Sequence, residues 1–390
     1  DADASGAFEA FLQPILATLN RLQACSNLRT DEARFSIIGV ARDIRGIACA
    51  TNRRLFPLMF DLLYPACLPL FTRALDTWWD DPAVTVAVLK LWMEMAENKE
   101  GRIYFDAAFP GGLLLFKEMA ASITTYGKHI LAQGPVADGQ DAYKLRFKSI
   151  GICLASMALA LTGQYVTFGA FTLYGDKTVD EVVGVLMNLA LSIPKHDLIA
   201  FHKVATAFYS FQEALFRHAL SLVISLETST VVQLLQLLHF GLSNALQTNV
   251  HILCARSIDR FASFLFRNRV RNTPLSLRMQ QHMQQVPGLI EDLQLVLLKQ
   301  IVTDEHTDLG ILAHPLLSLI LASGEAFLSV TTAFVKKQKV LAQESVTNAF
   351  KDLMQGVERN LEVENRRKFL RNVQAYRQQL KGVEELNLEY

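Results

Sequence analysis

The sequence has little of what usually announces a chemistry. Its five cysteines, Cys25, Cys49, Cys67, Cys153 and Cys254, are odd in number and widely scattered. No two form a C-x-x-C pair, so neither a disulfide framework nor a zinc site is indicated. Free cysteine in apolar surroundings behaves as a small hydrophobe, and a reducing compartment is the expected setting. Charge of one sign is also lacking, because 38 basic residues face 38 acidic ones. Direct binding of nucleic acid, which normally goes with a basic surplus, is therefore not expected. Nor is attachment to an anionic membrane surface through a polybasic segment.

Long hydrophobic runs are missing too. The longest lie near 152–161 and 309–322, and His314 and Pro315 interrupt the second. A membrane span wants about 20 apolar residues, so both runs read as buried helices and no membrane insertion is expected. Glycine and proline together number 31, and no polar stretch is long enough to read as disordered. There is no initiating methionine and no leader ahead of the first helical pattern, so the expectation is a piece of a longer chain.

Catalytic and cofactor motifs are absent as well. Gly134 and Gly139 have the spacing of a phosphate-binding loop, but Gln140 stands where that loop needs lysine. No H-E-x-x-H, G-x-S-x-G or dinucleotide fingerprint occurs. No catalytic residue, metal ligand or cofactor is expected.

What the sequence has is apolar material, 51% of residues, arranged with helical period. Val182, Val185, Leu186, Leu189, Ala190 and Ile193 form one stripe, ended by Pro194. Thr178 and Glu181 ahead of it have the spacing of a capping box. Val231, Leu234, Leu235, Leu238, Leu242 and Ala245 form another stripe, with Gln233, Gln236, Asn244 and Gln247 opposite. Thr30 before Asp31 and Glu32 opens a helix running to Ala50, and Asp81-Pro82 opens a further one.

The helices fall into antiparallel pairs over 8–50, 53–98, 112–163, 176–219, 228–270, 275–322 and 326–382. Second helices start near Asp31, Pro82, Asp141, Pro194 and Asn249, intervals a little above those of HEAT and armadillo units. One pair cannot bury both faces alone, so neighbours must stack. The expected fold is an all-α solenoid of HEAT-like helix pairs, a single array over 1–390.

Two surface sets are candidates for partner binding. Asp76, Trp78, Trp79 and Asp80, with Asp81, place two indoles among carboxylates at a helix junction, suited to a basic partner through charge and cation–π contact. The same residues would equally pack one Trp between repeats and cap the next helix. Arg256, Arg260 and Arg267, with Asp259 beside them, line one helix face, which is either a partner surface or simply solvated. His251 and Cys254, one turn apart, read as core residues, and Glu305 to Asp308 as a polar turn. The basic run Asn365–Arg371 is interleaved with Glu358, Glu362 and Glu364 and reads as a salt-bridged helix surface.

Several blocks resemble the C-terminal half of the exportin-7 family of nuclear transport receptors, in the importin-β superfamily. They include Arg42-Asp43-Ile44-Arg45-Gly46-Ile47-Ala48, Tyr64-Pro65, Trp79 to Pro82, and Val88-Leu89-Lys90-Leu91. Tyr126-Gly127, the block Tyr165 to Asp176, Leu191 to Pro194, His314 to Leu321 and Leu353 to Leu361 continue the series in order. The resemblance implies a receptor that binds folded cargo proteins with the small GTPase Ran in its GTP form. It would pass the pore by contacts with phenylalanine–glycine repeats of nucleoporins, shuttling between nucleus and cytoplasm. The family's N-terminal Ran-binding region has no counterpart here. A static helical scaffold without Ran coupling is the alternative.

Overall fold

The structure is a computed structural model that describes all residues except 1, 107, 135–139, 245–246, 304–307, 384–385 and 389–390. Side chains are described from residue 6 onward, with that of residue 140 also outside the description. Among the described residues there is no strand; the ordered elements are helices. The chain divides into two compact units, residues 1–214 and 215–390.

Unit 1 contains α1 (Ala2–Ala24), α2 (Asp31–Ala50), α3 (Leu55–Leu63), α4 (Pro69–Thr77), α5 (Pro82–Ala96) and α6 (Gly111–Ala132). It continues with α7 (Gln140–Ala142), a π-turn at Tyr143–Phe147, α8 (Lys148–Thr162), α9 (Gly169–Leu173), α10 (Thr178–Leu191) and α11 (Lys195–Ala200). Most of α12 (His202–His218) completes it. One row of helices stacks α2 on α5 and α5 on α8; a second row stacks α4 on α6 and α6 on α10. Each helix thus buries one side against its row neighbour and another against its partner row, as HEAT-type stacking requires.

Local sequence sets the helix starts. The Thr30 hydroxyl accepts the Ala33 amide at 3.3 Å, capping α2 at the position read from the sequence. The Asp81 carboxylate accepts the Ala83 amide at 2.8 Å ahead of Pro82 at the first turn of α5. The capping box at Thr178 and Glu181 does not form. Thr178 is already inside α10, and the cap comes from Asp176, whose Oδ1 accepts the Thr178 amide at 2.9 Å and its hydroxyl at 2.6 Å. Aspartate two residues earlier reaches these donors without distorting the turn, and Lys117 of α6 holds its other oxygen at 2.7 Å.

A buried arginine ties α2 to α5. Arg102, 4% exposed, donates to the Ala48 carbonyl at 2.7 Å and to the Glu94 carboxylate at 2.9 Å. The same Ala48 carbonyl also accepts the Thr51 amide at 3.2 Å and the Thr51 hydroxyl at 2.6 Å, so the end of α2 is fully capped where Arg102 meets it. Beside it, Phe105 and Phe109 pack edge-on against Phe60 at 5.2 and 6.4 Å, so the α5–α6 connection carries its own apolar core.

Unit 2 contains α13 (Leu220–Ser225), α14 (Thr228–Asn244), α15 (Thr248–Asn268), α16 (Pro274–Gln284), α17 (Leu289–Thr303) and α18 (Leu309–Ala322). Then follow α19 (Gly324–Lys336), α20 (Val340–Leu353) and α21 (Val363–Lys381). Here α15, α18 and α21 form one row; α14, α17, α19 and α20 cover it. Val231, Leu234, Leu235, Leu238 and Leu242 of α14 are all buried, whereas Ala245 lies outside the described residues. Fully burying each such leucine contributes about 1.5–3 kcal/mol.

Among the described residues one helical stretch, Tyr143–Thr162, is long and apolar enough to cross a membrane, and 72% of its most apolar part is buried inside the protein. Leu309–Ala322 followed by Gly324–Lys336 passes the same test only as a pair bent by 112°.

Candidate partner-binding surfaces

The junction between α4 and α5 gathers the first candidate set. Trp78 is 8% exposed, and its indole N–H donates to the Leu28 carbonyl at 2.9 Å. The Arg29 guanidinium lies 4.2 Å above the Trp78 ring and makes a two-pronged pair with Asp80, both contacts at 2.7 Å. Trp79 is only half-buried and stacks on His129 with ring centroids 5.6 Å apart and planes 8° from parallel. The His129 Nε2 meets the Asp76 carboxylate at 2.7 Å. Asp81 is held by Arg34 from α2.

Each carboxylate of this set already has a cationic or imidazole partner from a neighbouring repeat. The Arg29 hydrogen bond holds the Asp80 carboxyl below the usual carboxylate range. Burial pushes Asp81 up, but the Arg34 hydrogen bond and the Ala83 amide together carry it below that range. The geometry is that of an inter-repeat seam: Trp78 plugs the gap, Arg29 bridges the loop before α2 to the loop before α5, and Trp79 with His129 closes the side. Arg29, Arg34 and His129 escaped the reading from sequence. The signal that would have found them is separation, since Arg29–Asp80, Arg34–Asp81 and Asp76–His129 lie 51, 47 and 53 residues apart.

The second set lies on α15 in the other unit. Arg256, Arg260 and Arg267 are exposed along its surface, and none of the three makes an ion pair among the described residues. Asp259 is different. Its Oδ1 accepts the Ser318 hydroxyl of α18 at 2.6 Å and the Arg366 guanidinium of α21 at 3.1 Å. It therefore ties three helices together, while the three arginines face solvent. Arg366 comes from the basic run near the C-terminus, and its neighbour Arg367 pairs with Glu364 at 2.9 Å.

Elsewhere, Cys254 is fully buried and its thiol is pushed well up by burial, as is that of Cys153. Neither is poised as a nucleophile. His251 is half-buried on the same helix. Asp308 caps α18 by accepting the Gly310 amide at 2.9 Å, whereas Glu305, His306 and Thr307 lie outside the described residues. Among the described residues no group of three His, Cys, Asp or Glu is arranged to hold a metal. An open groove of about 540 Å³ runs between α1 and α2, lined by Phe8, Phe11, Ile15, Arg42, Gly46 and Ile47. These surfaces offer packing, stacking and charge, and no converging nucleophile and base.

No family model matches the chain. Over 385 residues it is 35% identical to exportin-7-B of Xenopus laevis, an alignment covering 96% of this chain and 35% of that protein. It is 32% identical over 383 residues to Ran-binding protein 17 of Homo sapiens, covering 95% of this chain and 35% of the relative. Ran-binding protein 16 of Drosophila melanogaster aligns over 388 residues at 32% identity, with 95% and 35% covered. The chain spans about a third of the length of the relatives it matches. It is thus homologous over nearly its whole length to exportin-7 and the Ran-binding proteins 16 and 17, as the quoted blocks implied.

Proposed function

We propose that this chain is the C-terminal, cargo- and Ran-wrapping portion of an exportin-7-like nuclear transport receptor. It binds folded cargo proteins together with GTP-loaded Ran and carries them through the pore by contacts with phenylalanine–glycine repeats. It shuttles between nucleus and cytoplasm, and the hydrolysis that ends a cycle belongs to Ran. The observation that carries this reading is the alignment over 96% of the chain with exportin-7. The stacked helix rows support it, since such arrays present long surfaces to protein partners.

Coupling between cargo and Ran follows from how the helices are tied. Several side-chain contacts join residues roughly one repeat apart, such as Thr72 with Ser122 at 2.8 Å and Arg278 with the Leu226 carbonyl at 3.1 Å. Small rotations between neighbours then add within an array. Two ligands that favour the same curvature strengthen each other's binding, and by linkage the effect is reciprocal.

The test places this chain within a receptor of the length that its relatives have and measures binding of a cargo mixture with Ran loaded with GTP or GDP. Cargo retained only with the GTP form supports the receptor. Equal retention with GDP-loaded Ran removes it and leaves the static scaffold.

A further inference from the structure

Unit 1 carries a second charged surface that the sequence reading did not single out. Arg42 and Arg45 lie on α2, Lys90 on α5, Lys148 on α8 and Lys203 on α12. The register that brings them together is fixed at several points. Arg34 meets Asp81 at the N-terminal ends of α2 and α5, and Arg102 links their C-terminal ends through Ala48 and Glu94. These two helices therefore run parallel, with Lys90 placed alongside Arg42 and Arg45. The Thr85 and Ser149 hydroxyls, 3.4 Å apart, align α5 with α8 beside Lys148. Gly151 faces Val204, next to Lys203, closely enough that an added Cβ would lie 3.7 Å from the Val204 Cα.

None of the five makes an ion pair or side-chain hydrogen bond among the described residues. Glu94, one turn beyond Lys90, is taken by Arg102. Asp43 lies exposed beside Arg42. Arg29, Arg34, Arg102, Lys117 and Arg366, by contrast, all have carboxylate partners. Desolvation first, and then Lys148, Arg45, Lys203 and Arg42, hold the Lys90 ammonium below the ordinary lysine range. Like charges gathered without counter-charges are a standing repulsion, which an anionic ligand would relieve.

We propose that Arg42, Arg45, Lys90, Lys148 and Lys203 form one electropositive strip that docks a carboxylate-rich segment of a partner protein. Adjacent packed helices lie about 8–10 Å apart, so a strip crossing four of them runs roughly 25–30 Å. An extended peptide of about eight to nine residues spans that length at about 3.3 Å per residue. A protein segment fits better than nucleic acid. The chain as a whole is neutral, without the basic surplus that normally accompanies phosphate binding. The inference holds with or without coupling to Ran.

The test uses the whole chain and a fluorescein-labelled peptide of about ten glutamates, read by anisotropy at about 50 mM salt, where surface charge is weakly screened. Lys90→Glu with Lys148→Glu is expected to weaken binding at least roughly tenfold, since it replaces two attractions by two repulsions. Lys368→Glu with Arg371→Glu on α21 is expected to leave it within about twofold. If the first pair fails to fold, by circular dichroism, Lys90→Gln and Lys148→Gln separately are each expected to weaken binding about threefold. The proposal is overturned if the strip variants bind as the unaltered chain does, or if the α21 pair weakens binding equally. It is also overturned if an oligothymidylate of about ten nucleotides binds more tightly than the peptide and is lost with the same substitutions.

Discussion

The Arg366 guanidinium on α21 donates to the Asp259 carboxylate on α15 at 3.1 Å, although 107 residues separate them. Most other long-range side-chain contacts join neighbours about one repeat apart; this one spans two repeats. Ser318 of α18, between them, donates to the same carboxylate oxygen at 2.6 Å. His314, one turn earlier on α18, is held below the usual histidine range by burial and then by Arg366, against Asp259 and Asp308.

Removing Arg366 leaves Asp259 half-buried with one partner fewer. Arg366→Met is expected to destabilise unit 2 by about 2 kcal/mol, between the cost of a lost surface pair and that of a broken buried one. A urea titration reads the change as a lower midpoint. Because Asp259→Asn acts on the same node, the double variant is expected to lose less than the two single variants summed. Strict additivity would show that the three helices are not joined here.

Arg29 has three attachments to its seam, among them a hydrogen bond from its guanidinium to the Thr77 carbonyl. The pair with Asp80 is worth up to about 1 kcal/mol, because both side chains are partly exposed. The contact over Trp78 adds about 0.5–1 kcal/mol. Arg29→Ala is expected to cost about 1–2 kcal/mol and to shift indole emission to the red as water reaches Trp78. Lysine cannot reproduce the flat two-pronged contact, so Arg29→Lys recovers less than half. Emission unchanged in Arg29→Ala would mean that Trp78 is sealed by other residues.

Acid should loosen unit 1. Asp80, Asp81 and Asp176 are depressed in the folded chain, Asp176 chiefly by hydrogen bonds from Lys117 and Thr178. The unfolded chain therefore takes up these protons first. Their stabilisation is complete above the unfolded aspartate value of about 4 and fades as pH falls through the folded values. Asp61 and Glu118, raised by burial, act in the opposite sense: their contribution is lost as pH rises through the folded values. The thermal midpoint is expected to hold from about pH 7 to 5.5 and to drop below about pH 4.5. Changing all three aspartates to asparagine should flatten that acid limb; an identical limb refutes the assignment.

Two glycines should respond in opposite directions. A Cβ on Gly112, near the start of α6, would lie 2.0 Å from the Tyr165 carbonyl oxygen, a backbone atom that cannot swing away. Gly112→Ala is expected to cost about 2–3 kcal/mol. Gly184, inside α10, has nothing within 4 Å of such a Cβ. Gly184→Ala is expected to stabilise by about 0.5–1 kcal/mol through helix propensity alone. Thermal midpoints moving the same way in both variants would contradict the packing described at Gly112.

The sequence by itself determined the helices, many of their ends and the kinship. Thr30 before Asp31, and Asp81 before Pro82, cap their helices as read, because a cap involves donors only two or three residues away. Apolar stripes such as Val231 to Leu242 went inside because burial follows helical period. Kinship was legible in ordered blocks such as Tyr165 to Asp176, independent of any contact. The tertiary structure decided the pairing. It gave Asp176, not Thr178, the cap of α10, because Lys117 on α6 fixes that carboxylate. It filled the carboxylates around Trp78 from Arg29, Arg34 and His129, and it drew Asp259 away from the exposed arginines of α15. It also aligned five cations from four helices that the sequence scatters from Arg42 to Lys203. The physical reason is register. Which residue of one repeat faces which residue of the next is set by how whole helices stack, and no local pattern in the chain records that.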